Sequence, residues 1–172
     1  DLMATATKGT MAAVMGLPPW RITGGEVRFD GTTVHDLGLQ ERAKLGIGMA
    51  FQRPPSLSGL SISRFAEALG AGAKLTEEAA ALDLVSFLDR DMNVGFSGGE
   101  IKRWEVLKLL LQDPRLMLFD EPESGVALEH VIAIGRAIDR AVTRADAGGS
   151  ARAGLVITHA GLILHHVAAA QG

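Results

Sequence analysis

Three short, continuously apolar runs alternate with longer stretches of helical periodicity along this chain. The runs read IGMAF, LMLF and LVIT, and polar or turn-forming residues bound each of them. Continuous apolar runs of four or five residues are typical of strands that are buried on both faces. Such strands, separated by helices, predict a parallel sheet that is covered by helices on both sides. The predicted strands are 47–51, 116–119 and 155–158.

The stretches before and between these runs predict the helices, since small and apolar residues recur there at helical spacing. These stretches are residues 2–16, 62–91 with an interruption at GAG, 100–112 and 128–144. LQERAKLG adds a short helix that ends at Gly46, and a last helix is expected after residue 159. The segment GEVRFDG predicts a strand with an Asp-Gly turn, and RPPSLSGLS is expected to be a loop.

Polar residues with chemical capability directly follow each predicted strand. Gln52 follows the first strand, Asp120 and Glu121 end or follow the second, and His159 follows the third. Parallel sheets of this type bind ligands beyond the carboxyl ends of their strands. One carboxylate there can hold hydrated Mg²⁺, and the next can orient or deprotonate a water molecule. The same acidic pair could instead cap the following helix, and a lone histidine at this place more often has a structural role.

The stretch FSGGE precedes a predicted helix and permits two interpretations. Ser97 can cap the helix, while Gly98 and Gly99 leave backbone amides open to a phosphate at the positive end of the helix dipole. Glu100 lies three residues after Ser97, so a capping box explains the same residues without any ligand. In isolation the capping box is the better explanation.

The stretch ATATKGTM ends like a phosphate-binding loop. Lys8, Gly9 and Thr10 open a predicted helix, as the last residues of such a loop do. Leu2 and two threonines stand where the loop needs glycines, however, and a β-carbon there narrows the permitted backbone dihedrals. Taken alone, Lys8 is interpreted as a surface lysine. Trp20 and Trp104 are interpreted as packing residues.

Composition narrows the possible classes of protein. The 172 residues, 47% hydrophobic and 22% charged, suffice for one domain with a core. A net charge of −3 gives no basic field for nucleic acid, and the absence of cysteine excludes disulfides and thiolate metal sites. No apolar run approaches a membrane span and no signal peptide is found, so a cytoplasmic protein is expected. Neither end resembles a finished domain edge, so the domain is expected to be incomplete at both ends.

The order of these motifs resembles that of ABC-type ATPases over nearly the whole chain. Lys-Gly-Thr, strand-Gln, Ser-Gly-Gly-Glu, strand-Asp-Glu and strand-His follow one another in the order of that family. The resemblance implies an α/β fold of the P-loop NTPase (RecA-like) type with an inserted helical subdomain. In this interpretation the core comprises 1–52 and 114–172, and the helical subdomain comprises 53–113.

The resemblance also implies ATP and Mg²⁺ as cofactors and a role for each residue after a strand. Asp120 is expected to hold the metal ion, and Gln52 to sense the metal and the attacking water. Glu121 is expected to activate that water, and His159 to steady the transferred phosphoryl group.

The remaining motifs are implied to bind the nucleotide across a dimer. Lys8, Gly9 and Thr10 correspond to the Walker A loop of one subunit. The signature motif, residues 97–100, would close on the ATP of a second ABC ATPase subunit in a head-to-tail pair. Two departures concern these contacts: Gly9 replaces the usual hydroxyl residue, and Ala127 replaces the aspartate that ends the D-loop.

Finer features resemble SufC, the ATPase subunit of SUF iron–sulfur cluster assembly. They are FSGGEIKRWE, AFQRP, and ITH followed by an apolar helix. This implies SufB/SufD-like scaffold partners, with RPPSLSGLS as the docking loop. Two other interpretations stay open. The chain could be the ATPase subunit of a membrane transporter, which would meet the membrane only indirectly, or a non-enzymatic interaction module, as the glycine-poor phosphate loop suggests.

Overall fold

The computed structural model of the chain describes residues 8–52, 54–144 and 151–167. The helices are α1 (Lys8–Met15), α2 (Leu39–Leu45), α3 (Ile62–Ala68), α4 (Gly72–Ala81), α5 (Gly98–Gln112) and α6 (Leu128–Thr143). The strands are β1 (Arg28–Phe29), β2 (Thr32–Thr33), β3 (Ile47–Ala50), β4 (Leu57–Ser61), β5 (Asp91–Met92), β6 (Leu116–Asp120) and β7 (Ala153–Ile157). Two 3-10 turns span Val85–Phe87 and Leu162–His166.

The three predicted apolar strands form one parallel sheet in the order β3–β6–β7. Side chains of the central strand β6 alternate between two cores, as the pleat of a strand requires. Leu118 packs in a cluster with Met11 and Met15 of α1, on the face that α2 also covers. Met117 and Phe119 pack against residues of α5 and α6 on the other face. The predicted fold, a parallel sheet flanked by helices, is therefore confirmed.

Helix α5 is the central element of the second core. Nine of its fifteen residues are buried, among them Lys102, Arg103 and Glu105. Buried charged groups need partners, and these have them. The Arg103 guanidinium donates to the carbonyls of Leu82 and Asp83, which ties α5 to the end of α4. The Glu105 carboxylate accepts the backbone amide of Phe51 at 2.6 Å, which ties α5 to the chain just after β3.

Several local predictions were wrong, each because a distant segment decided the outcome. The predicted loop after residue 53 contains β4, which pairs antiparallel with β5 about 30 residues later in the chain. The predicted interruption at GAG separates α3 from α4, but the expected helix ends at Ala81, and a 3-10 turn and β5 follow it. The expected last helix is the 3-10 turn Leu162–His166. Strand β7 was expected to be buried, yet Leu155 is 41% exposed because β7 lies at one edge of the described sheet.

Within the described residues, no helix is both long and apolar enough to cross a membrane. The boundaries proposed for the helical subdomain, 53 and 113, stay a prediction. They coincide with the points where the chain leaves the sheet after β3 and returns to it before β6.

Asp113, which ends α5, collects three basic side chains around one carboxylate. Lys74 of α4 contacts Oδ2 at 3.0 Å, Arg144 contacts Oδ1 at 3.2 Å, and Arg152 donates to Oδ1 as well. The hydrogen bond from Arg152, followed by that from Lys74, holds the pKa of the Asp113 carboxyl far below its ordinary value of 3.8. The charge on Asp113 therefore links α4, α5, the end of α6 and the start of β7.

We expect Asp113→Asn to lower the free energy of unfolding by about 1 kcal/mol at pH 7. Asparagine tolerates the left-handed backbone of Asp113, where φ is 57°, so the change removes the charge and one acceptor oxygen without backbone strain. A lowered pKa in the folded state contributes stability above the unfolded pKa, near 3.9, which is lost as the pH falls through the folded pKa. The difference between the two proteins should thus be full at pH 7 and shrink below about pH 4. Urea unfolding at several pH values measures it.

The exposed Asp36 offers a matched control for this charge. Asp36→Asn should change the unfolding free energy by less than about 0.5 kcal/mol at any of these pH values. A difference for Asp113→Asn that stays constant from pH 7 to pH 2 would contradict the electrostatic origin.

Candidate active site at the carboxyl edge of the sheet

The carboxyl ends of β3, β6 and β7 bring most of the predicted catalytic residues to one edge of the sheet. Asp120 is the last residue of β6, and Glu121 follows it. His159 comes two residues after β7 ends, and Gln52 comes two residues after β3 ends. Because the strands are neighbours and parallel, their ends meet at the same edge. The sequence predicted this convergence.

Glu121 and His159 are in direct contact. The Nε2 atom of His159 lies 2.8 Å from Oε1 of Glu121. The side chain of Glu121 is 10% exposed, whereas that of His159 is 79% exposed. Glu121 therefore lies at the base of the site, and the ring of His159 covers it from the solvent side.

The backbone of Glu121 is held in an uncommon conformation. Its φ of 48° lies in the left-handed region, which costs a non-glycine residue about 1 kcal/mol or more. Its amide donates to the carbonyl of Ile157 at 2.9 Å, which continues the pairing of β6 with β7 by one residue. Asp120 and Glu121 thus differ sharply in backbone conformation, and two adjacent carboxylates can serve different roles at one strand end.

A buried lysine compensates the charge of this acidic pair. Lys102 of α5 is 9% exposed, and its Nζ donates to the carbonyl oxygen of Asp120 at 3.3 Å. Burial lowers the pKa of Lys102, and the nearby carboxylates, Asp120 first and then Glu121, oppose that effect. An ammonium at this place stabilises the ionised carboxylates that metal binding and base catalysis require.

The donor set at this edge fits Mg²⁺ bound together with nucleotide phosphates. No group of three histidine, cysteine, aspartate or glutamate residues that could hold a metal occurs among the described residues. Mg²⁺ does not need such a group, since it commonly uses one or two carboxylates, several waters and substrate phosphates. The buried Asp120 supplies a carboxylate of this kind, and the exposed Gln52 supplies an amide oxygen near the same edge.

The position of Gln52 depends on a residue that sequence reasoning missed. Glu105 of α5 is 1% exposed and accepts the amide of Phe51, the residue immediately before Gln52. Lys108 donates to the same carboxylate oxygen of Glu105 at 2.5 Å. The sequence of α5 gave no sign of this link, because Glu105 reads there as an ordinary polar residue of a predicted helix.

The signature residues begin α5 with the predicted capping box. The Ser97 hydroxyl accepts the Glu100 amide at 3.3 Å, and the Glu100 carboxylate accepts the Ser97 amide at 2.7 Å. Ser97 and Gly98 are exposed. A β-carbon on Gly99 would lie 3.7 Å from the carbonyl of Gly125, so the start of α5 adjoins the 122–127 loop. The capping box is confirmed, and the role of these residues toward ATP stays a prediction.

Lys8 is the first residue of α1, and its side chain lies outside the described residues, as do Leu2, Thr5 and Thr7. Gly9 is buried, and Thr10 is exposed in the same turn. Trp104 is buried, whereas Trp20 is 53% exposed and packs outside the two cores. The ring of Trp20 instead lies against Gly9. A β-carbon on Gly9 would come within 2.7 Å of its Cζ3 atom.

We expect Gly9→Ser to displace the ring of Trp20. The serine restores the hydroxyl group that Gly9 replaces. Because Trp20 is half exposed, its ring can swing into solvent, and the cost should be about 1 kcal/mol. Displacement should shift the tryptophan emission maximum to longer wavelength, since Trp104 stays buried and contributes a constant signal. Fluorescence and thermal unfolding of the purified variant measure the two effects.

Gly72 is a matched control, because it also lies at the start of a helix and a β-carbon there would meet no atom of the described residues within 4 Å. Gly72→Ser should leave the emission unchanged. Emission unchanged in Gly9→Ser as well would show that Trp20 does not pack on Gly9.

Comparison with known proteins identifies the class to which this fold and site belong. A family model described as ABC transporter matches residues 8–124. The chain therefore belongs to the ABC transporter ATPase family.

Individual relatives agree with the family match. The chain is 30% identical, over an alignment of 171 residues, to a probable ABC transporter ATP-binding protein of Streptococcus pyogenes serotype M3, and this alignment covers 91% of the chain and 64% of the relative. It is 35% identical over 153 residues to the probable ATP-dependent transporter ycf16 of Pyropia yezoensis, which covers 77% of the chain and 60% of the relative. The chain thus spans somewhat less than two thirds of these relatives.

Solved structures with the same fold are ATP-binding cassettes. A nucleotide-free cassette from an ABC transporter matches with a TM-score of 0.68 at 19% identity, over 91% of this chain and 68% of the other. The ADP conformation of another transporter cassette also matches with a TM-score of 0.68, at 20% identity, over 95% and 70% of the two chains. These likenesses show the fold.

Proposed function

We propose that this chain binds MgATP and hydrolyses it at an interface between two subunits arranged head to tail. The contact between Glu121 and His159 beside the buried Asp120 is the observation that carries this proposal. It supplies a base, a group that can interact with a terminal phosphate, and a metal-binding carboxylate at one edge of the sheet. Phosphoryl transfer requires this kind of positioning and charge stabilisation, and little covalent chemistry by the protein.

In this proposal each residue at the edge has one task. Asp120 holds the metal ion, which neutralises phosphate charge when it is bound with ATP, and Gln52 orients the water near it. Glu121 accepts a proton from the attacking water through a carboxylate oxygen. His159 leaves Glu121 when nucleotide binds and donates to the terminal phosphate instead.

Residues at two helix starts complete the proposed site. Lys8, Gly9 and Thr10 at the start of α1 bind the phosphates within one subunit. The exposed start of α5, with Ser97, meets the nucleotide of the other subunit. This arrangement gives a role to the exposed start of α5, because a helix N-terminus at the surface favours an anion.

Titration of labelled ATP with Mg²⁺ onto the purified chain tests the proposal. Saturable binding together with release of phosphate is expected. No binding at millimolar ATP would overturn it and favour the non-enzymatic interaction module instead.

For the partner we propose a SufB/SufD-like scaffold, because FSGGE.KR and AFQ.P resemble SufC. Relatives named as transporter ATP-binding proteins support a membrane permease equally well. Affinity capture of partners by the tagged chain, expressed in the cells from which it comes, distinguishes a scaffold partner from a permease partner. Recovery of a cluster scaffold supports the first partner, and recovery of a permease without a scaffold replaces it by the second.

A further inference from the structure

Glu123, two residues after the proposed base, is a buried carboxylate to which neither the sequence nor the proposed function gives a role. It is 7% exposed and lies in the 122–127 loop after β6. Its Oε1 atom accepts a hydrogen bond from the hydroxyl of Thr158, the residue immediately before His159. Its Oε2 atom is buried and has no hydrogen-bond partner among the described residues.

Thr158 passes this contact on to the turn that carries His159. The amide of Gly161 donates to the Thr158 hydroxyl at 3.0 Å. Gly161 has a φ of 67° and begins the 3-10 turn that follows His159. The Thr158 hydroxyl therefore accepts a hydrogen bond from the amide of Gly161, which follows His159, and donates one to Glu123. These two hydrogen bonds hold the backbone before and after His159.

Within the part of the chain that the structure describes, the ring of His159 has one polar contact, to Glu121. Its side chain is 79% exposed, and its contact with Glu121 joins it to the same loop that contains Glu123. Glu121, Glu123 and His159 all line one open cleft of about 290 Å³, whose other walls include Val126, Leu128 and Leu162. The cleft leaves room for the ring to rotate. The position of the ring therefore depends on the backbone that the Thr158 hydroxyl holds in place.

The Oε2 atom of Glu123 has no hydrogen-bond partner among the described residues, and this lowers the contribution of Glu123 to stability. A buried polar atom without a hydrogen bond destabilises the folded state, and more so when it carries charge. The electrostatic attraction between the Lys102 ammonium and the Glu123 carboxylate offsets part of this cost. A neutral residue would cost less here, and groups that reduce stability are characteristic of functional sites.

We propose that Glu123 is a positioning residue for His159. This inference rests on the proposed function, in which His159 must exchange Glu121 for a phosphate. The Glu123 carboxylate holds the Thr158 hydroxyl, and the hydroxyl fixes the turn, so His159 moves by ring rotation while its backbone stays in place. Loss of the acceptor at Glu123 releases the turn and misplaces the ring by a small distance.

Three variants test this positioning role in steady-state ATP hydrolysis. Glu123→Leu removes the acceptor but fills the apolar cleft, so the fold should keep its stability. We expect kcat to fall on the order of 10- to 100-fold with KM for ATP within about twofold, because Glu123 does not touch the nucleotide. Glu123→Gln retains an acceptor oxygen and should recover most of the loss. Thr158→Val should lower kcat at least as much as Glu123→Leu.

The double variant Glu123→Leu/Thr158→Val should be no slower than Thr158→Val alone, since both changes break one link. Glu129, exposed in the first turn of α6, is the matched control, and Glu129→Leu should leave kcat unchanged. An unchanged kcat in Glu123→Leu, equal losses in the Leu and Gln variants, or additive losses in the double variant would each overturn the proposal.

A spectroscopic measurement keeps this test separate from that of the proposed function. The imidazole resonance of His159, one of five histidines, can be assigned in protein labelled with ¹³C-histidine. It should shift in Glu123→Leu and return toward its original position in Glu123→Gln, with or without ATP turnover. A resonance that stays unmoved in Glu123→Leu overturns the positioning role even if the chain hydrolyses ATP. A wild-type chain without turnover, but with this pattern of shifts, contradicts only the proposed hydrolysis.

Discussion

Glu121→Gln is expected to lower ATP turnover by roughly 100- to 10,000-fold while MgATP binding stays within a few-fold of wild type. The amide of glutamine has the same shape as the carboxylate and can contact Nε2 of His159 in the same place, so the geometry of the site should persist. It cannot take a proton from water, however, and in the proposed function that step depends on the carboxylate at the base of the site. Phosphate release and equilibrium nucleotide binding, measured on the same preparation, separate the two effects.

Exposed Glu129 again provides the control, and Glu129→Gln should turn over at the wild-type rate. The unfolding free energy of Glu121→Gln should also stay near that of wild type, since the side chain keeps its shape in the same left-handed backbone. Turnover by Glu121→Gln within threefold of wild type would show that another group activates the water.

Arg42→Leu is expected to lower the free energy of unfolding by about 3 kcal/mol or more. Arg42 of α2 is 4% exposed, and its guanidinium donates to four backbone carbonyls. They are those of Ala13, Val14 and Leu37 at 2.8 Å each, and that of His35 at 3.2 Å. Two of these carbonyls belong to the last turn of α1, where helix carbonyls lack partners within the helix. Removal of the guanidinium leaves buried acceptors unpaired and releases α1 from α2.

Thermal unfolding should show a decrease of roughly 6–12 °C for Arg42→Leu, given the usual 2–4 °C per kcal/mol for a chain of this size. Arg42→Lys should recover only a minor part, because a lysine cannot reach several acceptors with a planar fork. Lys44→Leu, an exposed change on the same helix, should shift the midpoint by less than about 2 °C. A loss for Arg42→Leu no larger than that for Lys44→Leu would contradict the role of Arg42 in holding α1.

The order of short motifs along the chain is sufficient to indicate the class of this protein. Apolar runs of four or five residues predicted the three strands of the parallel sheet, because a strand buried on both faces has no polar alternation. Ser97 with Glu100 predicted the start of α5, since a capping box is satisfied within four residues. The residues after each strand predicted which polar groups meet at one edge of the sheet, because parallel strands end at the same edge. All these inferences depend on local chemistry or on a general property of parallel sheets.

The tertiary structure decided what depends on residues far apart in the chain. The contacts of Glu123 with Thr158 and of Glu105 with Phe51 join residues 35 and 54 positions apart. Strand β4 exists only because β5 returns to pair with it, and Trp20 lies on Gly9 rather than in a core. The local sequence around a side chain does not show which distant residue folding will bring into contact with it. The sequence therefore fixes which groups are present at the sheet edge, and packing decides how firmly each is held.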